Sequence, residues 1–359
     1  MEIKTITERN TFNRYFDQYF LKNDTYVKSR RGNIEVDYLG YFNGLAALKF
    51  PVSLNDPSYC LLFSRLNENI AIASMNFYTQ KDRDVFLYSP QKFQIINSPR
   101  NEKRSSLKIV DQKIIIMSEV MTDGIIRDGL MRKGDKLNAI NEVLRYQKRR
   151  NFDYVKTYFI SEPGEDPRMK YFIDGKTKLF IADMHHADEN QDLEAFRYYK
   201  TTILPTDNYL NYSNDLMSEI TLPITYKGAI PYGYVQVNSR KPLSAAQVGI
   251  VERMVALAQN MAAESRLFYE SDHRFLVSDV SPNGFGIVFR NKMFLPVFLE
   301  KSLVSMDLIL PQKRKASIFA TVRHVEIKAD GVVRVGFKIN RMDENSSLYY
   351  QRFVQTCGA

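Results

Sequence analysis

The sequence is poor in cysteine and histidine and has no long apolar run. Its two cysteines, Cys60 and Cys357, stand near opposite ends of a 359-residue chain. Two cysteines cannot build a disulfide framework, and there is no CxxC pair to suggest zinc. A reducing cytoplasm is the simplest compartment. The four histidines, His185, His186, His273 and His324, are too scattered for a recognisable metal site. No stretch of about 18 apolar residues occurs, so no membrane span is expected. The N-terminal Met1-Glu2-Ile3-Lys4 lacks an apolar signal core. There is no Walker loop, Ser/His/Asp or Cys/His arrangement, or paired-carboxylate motif, so an enzyme is not expected. Repeats and low-complexity tracts are absent too.

What is present is the composition of a folded chain. Hydrophobic residues make up 44% and charged residues 25%, which excludes wholesale disorder. The length predicts two or three domains. Lys and Arg number 50 against 41 Asp and Glu, a net +9. That surplus favours anionic partners such as nucleotides, nucleic acid or lipid headgroups, without choosing among them.

The first hundred residues read mainly as β. Short runs at Asn33–Tyr38, Cys60–Phe63, Ile70–Ala73, Asp84–Tyr88 and Phe93–Ile96 are punctuated by Gly, Asn, Asp and Pro. A helix around Phe12–Leu21 precedes them. Asn97–Ser106 is polar and reads as an exposed loop, followed by a strand at Lys113–Ser118. The middle is mixed. Gly134–Arg149 has helical spacing, with Leu137, Ile140 and Leu144 on one face. Strands are predicted at Tyr154–Ile160, Tyr171–Ile173 and Lys178–Ile181, and a polar helix near Leu193–Tyr199. Met217–Tyr226 and Tyr232–Val237 form a predicted hairpin around Lys227-Gly228. A long helix starts at Ser244, with Val248, Val251, Val255, Leu257, Ala258, Met261 and Ala262 as its apolar stripe. The end returns to β, at Phe275–Val280, Gly286–Phe289, Val304–Leu310, Ala316–Val325 and Val332–Lys338. The last two strands flank Asp330-Gly331, a strong hairpin signal. A helix over Ser346–Val354 closes the chain.

The most specific stretch is Asp279-Val280-Ser281-Pro282-Asn283-Gly284, where a strand ends in Asp-x-Ser-x-x-Gly and another begins. Asp279 can accept from donors on a base edge, and Ser281 can donate to phosphate or carbonyl. Gly284 permits a tight turn that exposes both. The spacing arises by chance in on the order of one chain in twenty. Taken alone, it reads sooner as a β-turn capped by Asp and Ser. Two Arg-x-x-x-Arg pairs occur, Arg100…Arg104 in the polar loop and Arg145…Arg149 in the predicted helix. The second reads as a solvated basic face.

Asp279–Gly284, with the strand Val335-Gly336-Phe337-Lys338-Ile339 and a helix after it, resembles the PilZ domain over about Asp272–Val354. PilZ domains are six-stranded barrels that bind the bacterial second messenger cyclic di-GMP. The resemblance implies an arginine loop before the first strand, because guanidinium forks match phosphate oxygens and the guanine O6/N7 edge. Arg100 and Arg104 follow a β domain, which is where YcgR-like PilZ proteins carry that loop. Arg104 and Asp279 lie 175 positions apart, far more than is usual in the family, so an inserted domain is implied. The end of that insert, Ser218–Ile224, Gly233–Ser239 and the Leu243–Leu267 helix, resembles a GAF domain covering about Asp123–Tyr269. Lys113–Ser118 would then pair beside Phe275–Val280 in one barrel.

The expected fold is α+β multidomain. A YcgR-like N-terminal β-barrel takes residues 1–98, and the arginine loop with the first PilZ strand takes 99–120. A GAF-like α/β insert takes 121–270, and a C-terminal PilZ-like β-barrel takes 271–359. The resemblance implies a cytoplasmic cyclic di-GMP receptor that changes domain arrangement on binding. Its site would comprise Arg100, Arg104, Asp279, Ser281, Asn283 and Gly284, with no cofactor, metal or catalytic residue. The partner would be a protein, such as the flagellar motor or other motility or biofilm machinery, and not DNA. The alternative is a structural or protein-interaction protein whose PilZ barrel is degenerate and binds no nucleotide.

Overall fold

The structure, a computed structural model, describes residues 3–29, 32–51, 58–97, 105–106, 114–160, 166–185, 192–207 and 215–358, without the side chains of 105–106, 147–151 and 358. In chain order it begins with β1 (Ile3–Ile6), α1 (Phe12–Phe20), β2 (Thr25–Ser29), β3 (Gly32–Glu35), β4 (Asp37–Phe42) and β5 (Leu45–Lys49). Then come β6 (Tyr59–Leu66), β7 (Asn69–Gln80), β8 (Val85–Asn97), β9 (Ser105–Ser106) and β10 (Ile116–Thr122). The middle carries α2 (Asp123–Arg132), α3 (Gly134–Asn151), β11 (Tyr154–Phe159), α4 (Pro167–Ile173), β12 (Leu179–Ile181) and α5 (Leu193–Tyr198). It continues with β13 (Ser218–Tyr226), β14 (Ile230–Ser239) and α6 (Ala245–Glu264). The last part is β15 (Phe275–Ser281), β16 (Gly284–Phe289), β17 (Leu303–Ile309), β18 (Lys315–Ile327), β19 (Val333–Met342) and α7 (Glu344–Gly358). The fold is mixed α/β. It divides into two compact bodies, one of Met1–Ser118, His273–Ser302 and Met306–Ala359, the other of Glu119–Asp272 and Leu303–Ser305.

In the first body, β1–β8 wrap an aromatic core. Helix α1 buries Phe12, Phe16, Tyr19 and Phe20, spaced to share one face. The Phe16 ring lies 5.9 Å from Tyr38 and 5.5 Å from Phe93, so one helical residue ties two strands together. Asn33–Tyr38 does not form the single strand expected. Buried Val36 separates β3, which pairs with β2, from β4, which pairs with β5. The chain changes partners there, and its alternation continues through the break.

Most of a closed six-strand barrel lies in the same body, in the order β10-β15-β16-β19-β18-β17, with β17 also pairing β10; residues 119–122 of β10 and Leu303–Ser305 of β17 count with the other body. The barrel interior is apolar and fully buried, with Val280, Phe285, Ile287, Val335 and Phe337 among its residues. The first barrel strand comes from before the insert. Ile116 lies opposite Leu276 and Met117 opposite Phe275, and the Val277 amide donates to the Ile115 carbonyl at 3.1 Å. At the far edge, β18 pairs in parallel with β3, at Glu326–Asn33 and Ile327–Ile34. Lys328 reinforces this seam, donating to Asp24 at 3.1 Å, to Glu35 at 3.4 Å and to the Tyr26 hydroxyl. Gly331, at φ +82°, turns the chain from β18 into β19 at Asp330-Gly331.

The second body is built on an antiparallel sheet, β11-β14-β13-β12. Helix α6 opens with a Ser244–Gln247 capping box. It buries Val251, Met254, Val255, Ala258 and Ala262, so four of the predicted stripe residues are buried and Val248, Leu257 and Met261 are half-buried. Tyr171–Ile173 is not a strand but the end of α4. Asp166 caps that helix through the Met169 amide at 3.0 Å, and Pro167 fills its first turn. Helix α2, which the sequence pattern did not suggest, starts where Thr122 accepts from the Ile125 amide.

Candidate functional site

The Asp-x-Ser-x-x-Gly segment is the hairpin from β15 to β16, with Ser281 opposite Gly284 and only Pro282 and Asn283 exposed at its tip. The Ser281 hydroxyl donates to the Gly284 carbonyl at 3.1 Å. From α7, the buried Tyr350 hydroxyl reaches the carbonyls of Ser281 and Gly284 at 3.0 and 2.9 Å. A Cβ on Gly284 would stand 2.5 Å from the Phe337 carbonyl oxygen, so close approach of β19 excludes a side chain there. The Asn283 carbonyl accepts from the Ile339 amide at 2.9 Å.

Asp279 and Ser281 are not exposed, contrary to the reading of the turn from sequence. Asp279 is 3% exposed and Ser281 4%. The physical reasons are a bulge in β15 between Val277 and Asp279, and the cover that Tyr350 provides. The Asp279 carboxylate lies over Gly286, its cross-strand neighbour, where a Cβ would come within 2.3 Å. It accepts from Arg334 Nη2 at 3.0 Å and from the Ser278 hydroxyl at 2.7 Å. Burial works against the charge of Arg334, but Asp279 outweighs it by charge and hydrogen bond, holding the guanidinium above its ordinary pKa. On β19 and β18, Gly336 stands opposite Gly286 and His324, and a Cβ on Gly336 would collide with the His324 ring. Sequence reasoning missed Arg334. Its only signal was its place two residues before Gly336, in the Val335-Gly336-Phe337 strand already singled out.

Arg100 and Arg104 lie outside the described residues. The backbone just after Arg104 is described, and it is a short strand rather than the exposed loop expected over Asn97–Ser106. Ser105 pairs with Val280 and Ser106 with Asp279. The segment next to the Arg-x-x-x-Arg pair is therefore hydrogen-bonded along the edge of the strand that carries Asp279 and Ser281. Arg145, in the other body, is exposed on α3 and its nearest acid is Glu142 at 3.5 Å. In the short basic run Lys28-Ser29-Arg30-Arg31, Lys28 meets Glu300 at 2.9 Å. Arg30 and Arg31 lie outside the described residues.

The second body holds a buried polar cluster that sequence spacing did not reveal. Arg168, 2% exposed, forks onto Glu219 through Nε and Nη2, both at 2.8 Å, and reaches Asp207 through Nη1 at 2.7 Å. Thr221 and Asn238 also donate to Glu219. Burial disfavours the Arg168 charge, but Glu219 outweighs it and holds the guanidinium well above its ordinary pKa. His185 is exposed and His186 lies outside the described residues. Among the described residues no cluster of His, Cys, Asp and Glu could hold a metal, and no helix is long and apolar enough to cross a membrane.

No family model and no curated protein matches the chain. Solved structures do match. K. pneumonia MrkH in complex with cyclic di-GMP is 7% identical, with 99% of this chain and 95% of that one covered and a TM-score of 0.37. Escherichia coli YcgR in complex with cyclic di-GMP is 7% identical, with 99% and 92% covered and a TM-score of 0.36. A GAF domain region of a putative membrane protein from Geobacter sulfurreducens is 15% identical, with 38% of this chain and 96% of that one covered and a TM-score of 0.27.

Proposed function

We propose that the chain is a non-catalytic, cytoplasmic cyclic di-GMP receptor. The nucleotide sits between the Arg100–Arg104 segment and the Asp279–Gly284 hairpin of the closed barrel. The N-terminal sheet, a GAF-like insert and the PilZ-like barrel act as its three domains. The observation that carries this reading is the pairing of Ser105 and Ser106 with Val280 and Asp279. It draws the chain beside one arginine motif to the acidic-serine hairpin, although 175 positions separate Arg104 from Asp279. A dianionic ligand needs such converging cations, because each phosphate requires charge-assisted donors. Binding changes how the N-terminal sheet meets the barrel at the β3–β18 seam, and the output passes to a protein of the motility or biofilm machinery.

Calorimetric titration of the full chain with cyclic di-GMP tests this. Arg100→Ala and Arg104→Ala should each weaken binding tenfold or more, since a charged hydrogen bond contributes roughly 1.5–3 kcal/mol. Arg145→Ala should change nothing. If Arg145 mattered and Arg100 did not, the arginine assignment would be wrong. The second reading, a barrel that binds no nucleotide, draws on the burial of Asp279 and its existing bond to Arg334. A wild-type titration without heat at several temperatures would establish it.

A further inference from the structure

We infer that Arg334 is the ligand-contacting cation of the barrel site and that Asp279 positions it; this rests on the receptor reading above. At 3% exposure, Asp279 offers almost no surface to a base edge. Its carboxylate is instead built into the wall. The bulge in β15 turns it inward, and Gly286 leaves the space it fills. There it grips one corner of Arg334, at Nη2.

Arg334 has what Asp279 lacks. More than a third of its side chain is exposed, 38%. A guanidinium carries five N–H donors in one plane. Among the described residues, the Nη2 bond to Asp279 is its only hydrogen bond, and Nε is buried without an acceptor. The buried Nε is out of reach, but the exposed guanidinium edge at Nη1 and Nη2 still offers donors to an incoming acceptor. A fork pinned at one corner is also pre-organised, so a ligand does not have to order it. Such a fork suits a pair of acceptors side by side, either two phosphate oxygens or guanine O6 and N7. The position is right as well. The carboxylate that Arg334 grips belongs to the residue paired with Ser106, two positions after Arg104.

The test is calorimetry on the full chain, with cyclic di-GMP and cyclic di-AMP as titrants and a thermal melt of every variant. Arg334→Ala should weaken cyclic di-GMP binding tenfold or more. Arg334→Lys keeps a charge that can still pair with Asp279 but loses the fork, and should recover only part of the affinity. Asp279→Asn should weaken binding less than Arg334→Ala. The double variant Asp279→Asn/Arg334→Ala should be no weaker than Arg334→Ala alone, because Asp279 acts through Arg334. If Arg334 reads the guanine edge, its loss narrows the preference for cyclic di-GMP over cyclic di-AMP. If it reads phosphate, both affinities fall together. Either result supports the inference. Wild-type affinity in Arg334→Ala or in Arg334→Lys overturns it while leaving the receptor reading intact. Full additivity in the double variant overturns the positioning role. Failure of the wild-type chain to bind overturns both the inference and the receptor reading.

Discussion

Residues buried alike can read very differently in sequence. Asp279 and Glu219 are both carboxylates on strands, both nearly sealed from water, and both gripped by an arginine from another element. Asp279 announced itself because the Ser and Gly after it make a spacing that can be searched. Gly284 was legible for the same reason, but what requires it is the close approach of Phe337 rather than a positive φ. Arg334 and Arg168 were not legible. A single arginine on a strand or short helix has no periodicity, and its partner lies 55 or 51 positions away. The Arg168 cluster allows a sharp prediction. Arg168→Ala leaves the Glu219 carboxylate buried with no cation at its fork, and should cost about 3–5 kcal/mol. Arg168→Met with Glu219→Gln removes the sealed pair but leaves Asp207 without its cation, and should recover only part of that loss. Urea unfolding of the three proteins measures it. A single variant as stable as wild type would mean that the cluster contributes nothing to the fold.

At the scale of elements, turn residues read well even where the strands they join are buried on both faces. The hairpins at Lys227-Gly228 and Asp330-Gly331 lie where the turn residues predicted, with Lys227, Gly228 and Gly331 all at positive φ. Failures came where a short apolar run carries no period. Tyr171-Phe172-Ile173 reads as a strand by composition, yet Asp166-Pro167 just before it is a helix start, and that local signal decided the structure. Ser105–Ser106 is too short and polar to read as a strand, because its pairing is fixed by β15 rather than by its own residues. The elements contributed from before the insert give a prediction. A fragment of Asp272–Ala359 lacks β9 and β10, leaving the edge of β15 unpaired from Phe275 to Val280 and the barrel open. It should be poorly soluble and bind cyclic di-GMP negligibly. Joining Ser98–Val120 to it through a short Gly/Ser linker should restore solubility and part of the binding. Equal affinity of the bare fragment and the full chain would show that the earlier segment is dispensable.

At the scale of the molecule, the telling contact is the seam between the N-terminal sheet and the barrel, because the proposed receptor signals by changing it. Only two residue pairs of parallel ladder join β18 to β3 there. Side chains add to it, three of them around Lys328, with Lys28 and Glu300 as a separate pair. None of this was legible in sequence, since Asp24, Tyr26 and Glu35 are about 300 positions from Lys328. The groups involved make the seam sensitive to alkali. Burial pushes the Tyr26 hydroxyl up to about 12, against the bond from Lys328 that favours its ionised form. Burial disfavours the Lys328 charge, but its bonds to Tyr26 and Asp24 outweigh that and hold the ammonium above its ordinary range. Both pKa values are raised on folding. The stability they contribute is therefore full below the unfolded values near 10 and is lost as pH climbs through the folded ones. The seam should hold at pH 9 and weaken from about pH 10 to 12. Many other tyrosines ionise in that range, so the comparison that isolates the seam is wild type against Tyr26→Phe, which keeps the ring and removes the titrating hydroxyl. Amide exchange at Asn33–Glu35 and Glu326–Lys328 reports it. Protection there should fall more steeply between pH 10 and 12 in wild type than in Tyr26→Phe, after correction for intrinsic exchange. Identical pH profiles would show that Tyr26 ionisation does not govern the contact between sheet and barrel.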